Sequence, residues 1–148
     1  MNPTTQTDQH LAAALDEWAA AYSRKDPAAF AAAFGDHDGV VLLGTGRDEI
    51  AIGRAAIRDL LQRDFDEAGD LEVKFGQLRI STAGDVAWAV APNAVIEATV
   101  SGQRQSIPVR ITTVLEHSGG QWLIQHAHVS APMANQELGH SFPSPAST

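Results

Sequence analysis

The chain has 148 residues, of which 44% are hydrophobic, so it can bury the core of one globular domain. Its formal net charge of −8 argues against binding to nucleic acid or to an anionic membrane, because both require clustered Lys and Arg. The absence of cysteine excludes disulfides, thiolate metal sites and a cysteine nucleophile.

The first half of the sequence has the periodicity of three helices. The first is indicated by apolar residues that recur every three or four positions, namely Leu11, Leu15, Trp18 and Tyr22. Asp8 is its predicted N-cap, and a short second helix begins at Pro27. A third helix follows Gly53 and ends before Gly69. The apolar run 40–43 predicts one buried strand between the second and third helices.

The second half changes to a period of two and predicts four long strands. They cover about residues 72–81, 86–98, 105–117 and 121–130, with short Gly-containing turns between them. Short connections make neighbouring strands antiparallel, because parallel pairs need long crossovers. Helices followed by such a meander predict an α+β fold. We expect this sheet to curl around the helices, which pack in its concave face and leave a cavity.

Three segments are expected from the composition along the chain. Residues 1–9 are polar and are expected to be disordered, residues 10–132 form the domain, and the Ser- and Pro-rich residues 133–148 form a flexible tail. The N-terminus lacks a secretory pattern, and no stretch is apolar enough to span a membrane. We therefore expect a cytoplasmic protein with no membrane partner.

Four stretches carry a resemblance to a known family. They are WAAAYSRKDPAAFAAAF, VVLLGTGRDEIAIGRAAI, GDVAWAV and PVRITTVLEHSGGQWLIQHAHVSAP, at 18–34, 40–57, 84–90 and 108–132. In this order they resemble the SnoaL-like branch of the nuclear transport factor 2-like superfamily, which is related to ketosteroid isomerases, polyketide cyclases and limonene epoxide hydrolases. The resemblance implies a cone-shaped fold with a ligand cavity, no cofactor, and a homodimer formed through the convex sheet face.

The sequence departs from two of these relatives at the residues that carry their chemistry. Where ketosteroid isomerases have a phenol on the first helix, this chain has Trp18, and the strand 40–43 lacks their carboxylate base. Arg110 could stand for the cation of an epoxide hydrolase, but the sequence does not place two carboxylates beside it. The reaction type therefore stays open.

The last two predicted strands hold the strongest candidates for catalysis. Arg110 and His128 lie on strand faces that the resemblance assigns to the cavity. There His128 would act as acid or base, and Arg110 would hold a developing negative charge on oxygen. The alternatives are an ion pair of Arg110 with Glu97 or Glu116, and a His128 that bonds the backbone inside the core.

Other side chains are expected to contact the substrate, and some have equally plausible structural roles. The predicted substrate-binding residues are Trp18, Tyr22, Phe34, Trp88, Thr112, His126 and Ser130. Core packing is the alternative for the aromatic residues, and is preferred for Phe34. His126 and His128 have the spacing of metal ligands, but no third ligand is fixed, so no metal is predicted. Glu49 is interpreted as a loop charge rather than an acid at the cavity mouth.

Three functions are consistent with these patterns. The first is an enzyme that moves a proton on a hydrophobic carbonyl or epoxide substrate, as in isomerisation, cyclisation or hydrolysis. The second is a binding domain that holds an apolar carboxylate without turnover. The third is a dimeric interaction module with an incidental cavity.

Overall fold

A curved, open sheet wraps around three helices in the computed structural model, which describes residues 5–145. The helices are α1 (Gln6–Ser23), α2 (Pro27–Ala32) and α3 (Arg54–Glu67). The strands are β1 (Val41–Leu43), β2 (Ile50–Ile52), β3 (Ala68–Lys74), β4 (Arg79–Ala83), β5 (Val86–Val100), β6 (Gln103–Ser118) and β7 (Gln121–Ser130). The predicted α+β class, with helices before a mainly antiparallel sheet, is confirmed.

The first helix begins earlier than the sequence indicates. Thr5 is the N-cap, and its hydroxyl accepts a hydrogen bond of 3.0 Å from the backbone N–H of Asp8. The Asp8 carboxylate accepts in return from the Thr5 N–H, which completes a capping box. The prediction of Asp8 as N-cap was therefore wrong. Residues 6–9, expected to be disordered, are helical, while residues 1–4 lie outside the described part of the chain.

The sheet follows the order β2-β1-β7-β6-β5-β3, and β4 also pairs with β5. The predicted strand 72–81 is in fact two strands, β3 and β4, which pair with opposite ends of β5. Between those ends β5 carries an irregularity, at Pro92 and Asn93, where Pro lacks the N–H that a regular ladder needs. Gly76 joins the two short strands with φ +65°, close to the Asn93 carbonyl.

One short edge strand was missed by the sequence analysis. β1 coincides with the predicted apolar run and pairs in parallel with β7, whereas β2 returns antiparallel to β1. β2 has only three residues, and its Ile50 and Ile52 are 65% and 60% exposed. Three residues are too few for an alternating pattern to be read from sequence.

Burial of alternate residues shows which face of the long strands points inward. On β6 the buried residues are Val109, Ile111, Thr113 and Leu115, and the residues between them are exposed. On β7 the buried positions are Ile124 and Ala127, which are three apart because the pairing with β6 shifts by one residue at Gln125. The helices pack against this inner face, through α1 on β3 and β7 and α3 on β3.

The segment after β7 lies outside the core. Leu138 and Phe142 are 96% and 83% exposed, so the domain body does not bury either side chain. A bridge between Gln136 and Pro143 closes the segment into a loop. Its flexibility stays a prediction. Among the described residues, no helix has both the length and the apolar character needed to cross a membrane.

Candidate functional site

A cavity of about 220 Å³ lies between the helices and the inner face of the sheet. Its aromatic wall comes from Trp18 and Tyr22 on α1 and Phe30 on α2. Its aliphatic wall comes from α3 and the sheet, in particular Leu42, Leu60, Leu71, Ile96, Ile111 and Val129. Exposed residues, Thr45 and Glu67, also border it, so the cavity reaches the protein surface. The space is therefore largely apolar and suited to a small organic molecule.

The ionisable groups in this cavity are acidic. Glu49, Asp64 and Glu67 border it, and within the described chain no Lys, Arg or His does so. Burial, and secondly the negative charge of Glu49, raise the pKa of the Asp64 carboxyl from 3.8 to about 6. A carboxyl with this pKa exchanges its proton readily near neutral pH, as a general acid or base requires.

The loop before β2 holds the second carboxylate, that of Glu49. This side chain is 17% exposed, and one of its oxygens accepts a short hydrogen bond from the Gly46 N–H. The other oxygen lies 3.7 Å from the Arg63 guanidinium, which also forms an ion pair of 2.8 Å with Asp48. A Cβ at Gly44 would lie 2.6 Å from the Glu49 carboxylate, so a side chain there would displace Glu49. Glu49 is therefore both a loop contact and a cavity residue.

Asp64, in contrast, has no cation within 4 Å among the described residues. It lies on α3 four residues after Leu60 and three after Leu61, and all three residues border the cavity. This helical spacing of an acid with two apolar residues is the sequence signal that could have identified it. Asp64 was not predicted from the sequence, and for Glu49 a loop charge was preferred to the alternative of an acid at the cavity mouth, where the structure places it.

Two polar aromatic groups complete the site. Burial, and then the charges of Asp64 and Glu49, raise the pKa of the Tyr22 hydroxyl, so it stays protonated at neutral pH. Trp18 is 4% exposed, and its indole N–H has no hydrogen-bond partner among residues 5–145. Both residues were predicted to bind substrate, and the structure places both at the cavity.

Phe34, also predicted to contact substrate, lies in the core instead. Its side chain is completely buried, and its ring contacts those of Trp18 and Phe30 at centroid distances of 6.0 and 6.1 Å. It does not border the cavity. Its backbone forms a bridge with Ile124 of β7.

The remaining predicted site residues lie on the outer, convex face of the sheet and not in the cavity. Arg110 and His128, the predicted catalytic pair, are both exposed, and the cavity is bordered by their neighbours Ile111 and Val129. Four further residues share this outer face by strand alternation and pairing, namely Trp88, Thr112, His126 and Ser130. The assignment of these faces to the cavity was wrong, because the apolar set on each strand turns inward.

The alternative prediction for Arg110 was an ion pair with Glu97 or Glu116, and neither pair is present among the described residues. Among the described residues, Glu97 pairs with Arg104, at 3.6 Å, and Arg110 has no ion-pair partner. No group of three or more His, Asp or Glu side chains in the described chain is arranged to hold a metal ion. His126 and His128 project from the outer face, so no residue of the cavity supplies an imidazole ligand.

Comparison with known protein families identifies one match. The model of the SnoaL-like domain matches residues 11–134, which is most of the chain. A search of curated proteins found no match.

Several solved structures share the fold. A nuclear transport factor 2-like superfamily protein from Salmonella enterica superposes with a TM-score of 0.78 at 18% identity, covering 90% of this chain and 96% of that one. A ketosteroid isomerase-like protein from Erwinia carotovora gives 0.71 at 21% identity, covering 87% and 98%. A protein from Xanthomonas campestris, proposed to be a calcium/calmodulin-dependent protein kinase II association domain, gives 0.76 at 23% identity, covering 88% and 91%. These likenesses describe the fold, whose members differ in activity.

Proposed function

Because the chain belongs to the SnoaL-like domain family, we propose that it is a small-molecule enzyme whose cavity catalyses proton transfer on a hydrophobic carbonyl or epoxide substrate. The observation that carries this proposal is the Asp64 carboxyl, which borders an apolar cavity and has a pKa of about 6. The ketosteroid isomerase-like relative is consistent with such chemistry. Cavity, acid and family together favour an enzyme over a passive binding domain.

The proposed reaction uses Asp64 as the group that moves the proton. On a ketone, the ionised carboxylate removes a proton from the carbon next to the carbonyl, which gives an enolate and a neutral carboxylic acid. The same acid then returns the proton to the substrate, at the original carbon or at a conjugated one. On an epoxide, the neutral acid would protonate the ring oxygen while a second carboxylate activates water. Glu49 borders the same cavity and is the second carboxylate.

Asp64 is favoured over Glu49 as the mobile proton carrier because of their different contacts. Glu49 accepts a hydrogen bond from the Gly46 N–H and faces the Arg63 guanidinium, so both of its oxygens already have a protein partner. Asp64 has neither contact, and burial favours its neutral form. The oxygens of Asp64 therefore remain available to a substrate, and its pKa of about 6 suits proton transfer near neutral pH.

The proposal predicts that the protein accelerates hydrogen–deuterium exchange at the carbon next to the carbonyl of a small cyclic ketone such as α-tetralone. NMR in D2O follows this exchange without knowledge of the natural substrate. The rate should rise as pH increases through about 6 and level off above it, because the base form of Asp64 is the active one. A parallel assay of styrene oxide hydrolysis by NMR distinguishes ketone from epoxide chemistry.

A protein that binds α-tetralone but accelerates neither reaction would support the binding-domain alternative. A rate that is independent of pH between about 5 and 7 would contradict the role of Asp64. Catalysis by Arg110 or His128 inside the cavity is not part of the proposal, because both residues lie on the opposite sheet face.

We also propose that the convex face of the sheet forms a homodimer interface. This face carries a group of exposed apolar side chains on two paired strands, Trp88, Val86 and Val114, at 43%, 38% and 37% exposure. The same face carries polar groups that can pair across an interface, including Arg110 and His128. Trp and Arg are both enriched at binding surfaces.

The dimer is tested by replacing Trp88 with Asp. Light scattering coupled to size exclusion should give a dimer mass for the wild type and a monomer mass for Trp88→Asp, because a carboxylate would be buried without a partner. Leu138→Asp is the matched control, since Leu138 is 96% exposed in the tail and lies off the sheet. A wild-type monomer mass, or a dimer that survives Trp88→Asp but not the control, would contradict the proposed interface.

A further inference from the structure

The charged groups that border the cavity all have one sign. They are Glu49, Asp64 and Glu67, and no Lys, Arg or His of residues 5–145 borders the cavity with them. The guanidinium of Arg63 lies 3.7 Å from Glu49, but Asp48 engages it at 2.8 Å and it lies outside the cavity lining. A ligand that enters this space therefore meets a negative electrostatic potential.

The cavity gives these three acids more influence than acids on an open surface have. They share a largely apolar space with aromatic and aliphatic side chains, so water screens their charge less. Asp64 is partly buried and the side chain of Glu49 is 17% exposed, whereas Glu67 is exposed. The negative charge therefore extends from the interior of the cavity to its opening.

Asp64 is the partly buried acid that lacks a counter-ion. No cation lies within 4 Å of it among the described residues, whereas Glu49 faces Arg63. Taking a carboxylate out of water without a partner is costly, and buried charges in folded proteins are usually paired. A positively charged ligand would bring the missing charge into this space.

The aromatic wall suits a cation as well as an apolar ring. Phe75, from the segment between β3 and β4, borders the cavity together with Trp18, Tyr22 and Phe30. The face of an aromatic ring attracts an ammonium group within about 6 Å. The cavity volume of 220 Å³ is not much larger than the roughly 150 Å³ that holds one benzene ring, so a bound ammonium has both rings and carboxylates nearby.

We propose that this cavity selects a positively charged ligand, an ammonium group on an apolar skeleton of about two fused rings, and that Glu49, Asp64 and Glu67 determine this specificity. The inference rests on the proposed function in placing the ligand in the same cavity. It narrows the substrates to ketones or epoxides that also carry an ammonium group. The apolar carboxylate of the binding-domain hypothesis is disfavoured, because the same three residues would repel it.

Three probes with one skeleton test the charge of the ligand. At pH 7.5, 2-aminotetralin is cationic, 2-tetralol is neutral and tetralin-2-carboxylate is anionic. NMR titration of ¹⁵N-labelled protein measures the affinity of each. The amine should bind at least about tenfold more tightly than the alcohol, and the carboxylate should bind more weakly than the alcohol.

The pH dependence of these affinities has opposite signs for the two charged probes. Asp64 becomes neutral as pH falls through about 6, whereas both probes keep their charge between pH 5.5 and 8. The amine should therefore weaken about threefold from pH 8 to pH 5.5, and the carboxylate should tighten. Asp64→Asn should remove both trends.

Other charged or titratable groups also act on Asp64. They are Asp48 and Glu49 in the loop before β2, Arg63 and Glu67 on α3, and Tyr22 on α1. β3, all of which is described, contributes no charged residue to the cavity lining. In the range from pH 5.5 to pH 8, the carboxyl of Asp64 is the group with a pKa of about 6, so the two trends report its charge.

Glu67→Gln and Asp66→Asn form a matched pair of variants. The two residues are exposed neighbours at the end of α3, and only Glu67 borders the cavity. Each substitution removes one negative charge from the protein. Glu67→Gln should weaken the amine about threefold and leave 2-tetralol unchanged, whereas Asp66→Asn should change neither affinity.

Four results would overturn the inference: no binding of the amine, binding of the alcohol or carboxylate as tight as that of the amine, the same pH trend for both charged probes, or equal effects of Glu67→Gln and Asp66→Asn. None of these readouts depends on turnover, and α-tetralone, the probe of the proposed function, is uncharged. Exchange on α-tetralone without a preference for the amine refutes this inference alone. A preference for the amine without exchange refutes the proposed function alone.

Discussion

Asp64→Asn is expected to lower the rate of proton exchange on α-tetralone by about 100-fold or more, the usual contribution of a positioned general base. The amide has nearly the shape of the carboxyl but cannot take up a proton from carbon. Because Asp64 is the cavity acid that lacks a cation and has a pKa of about 6, no other group in the cavity is equally suited to replace it. NMR in D2O measures the rate at saturating ketone.

The matched control for this substitution is Asp66→Asn. Asp66 lies two residues further along α3, is exposed, and accepts a 2.9 Å hydrogen bond from Gln62 on the helix surface. It should retain the wild-type exchange rate. Retention of wild-type activity by Asp64→Asn, or an equal loss in both variants, would contradict the proposed base.

The stability of Asp64→Asn separates loss of function from loss of fold. Since folding raises the pKa of Asp64, this group stabilises the folded state fully below about pH 4, and that contribution is lost as pH rises through about 6. Above that range the wild type bears the cost of a partly buried charge that Asn avoids. Urea unfolding at neutral pH should therefore show Asp64→Asn more stable by about 1 kcal/mol, a value reduced for its partial exposure to solvent.

The sequence predicts well those features that depend on local spacing. Helical periodicity alone places Trp18 and Tyr22 on the inner face of α1, because both continue the stripe of Leu11 and Leu15. The same rule locates α3 after Gly53, and the short Gly-containing turns define the meander. In each case the signal lies within a few residues, so no knowledge of the tertiary structure is needed.

The choice between the two faces of a strand is a tertiary property. Alternation divides β6 into the set with Arg110 and the set with Ile111, but it does not state which set is covered by helices. The assignment of the Arg110 set to the cavity rested on the family resemblance, whereas the more apolar Ile111 set is the buried one. On β7 the irregularity at Gln125 places Ile124 and Ala127 on one face, which strict alternation would separate.

The proximity of Asp64 and Glu49 was not predicted because it, too, is a tertiary property. Asp64 and Glu49 are 15 residues apart, and they come together because α3 packs beside the loop that precedes β2. Neither residue has a motif that marks it as functional. The one local signal is an acid on the apolar face of a helix. It indicates a functional residue only once a cavity is known to lie on that side.

Phe34→Ala is expected to lower the free energy of unfolding by about 3–5 kcal/mol, the range for truncation of a fully buried Phe. The ring is completely buried and packs on Trp18 and Phe30, so its removal leaves a void that these rings cannot fill without losing their own contacts. A loss of this size is a large part of the stability of a typical domain. Urea unfolding followed by circular dichroism measures it.

Phe142→Ala provides the control, because Phe142 is 83% exposed in the tail and its loss should change stability by less than about 0.5 kcal/mol.

The two interpretations of Phe34, as a cavity wall and as a core residue, predict different losses of stability in Phe34→Ala. As a cavity wall, Phe34 could be truncated with a modest loss of stability, since the new space would join one that already exists. As a core residue, Phe34 packs against Trp18 and holds its ring in place, so truncation mainly lowers the stability of the fold. A loss of less than about 1 kcal/mol in Phe34→Ala would indicate that Phe34 is a cavity wall and not a core residue.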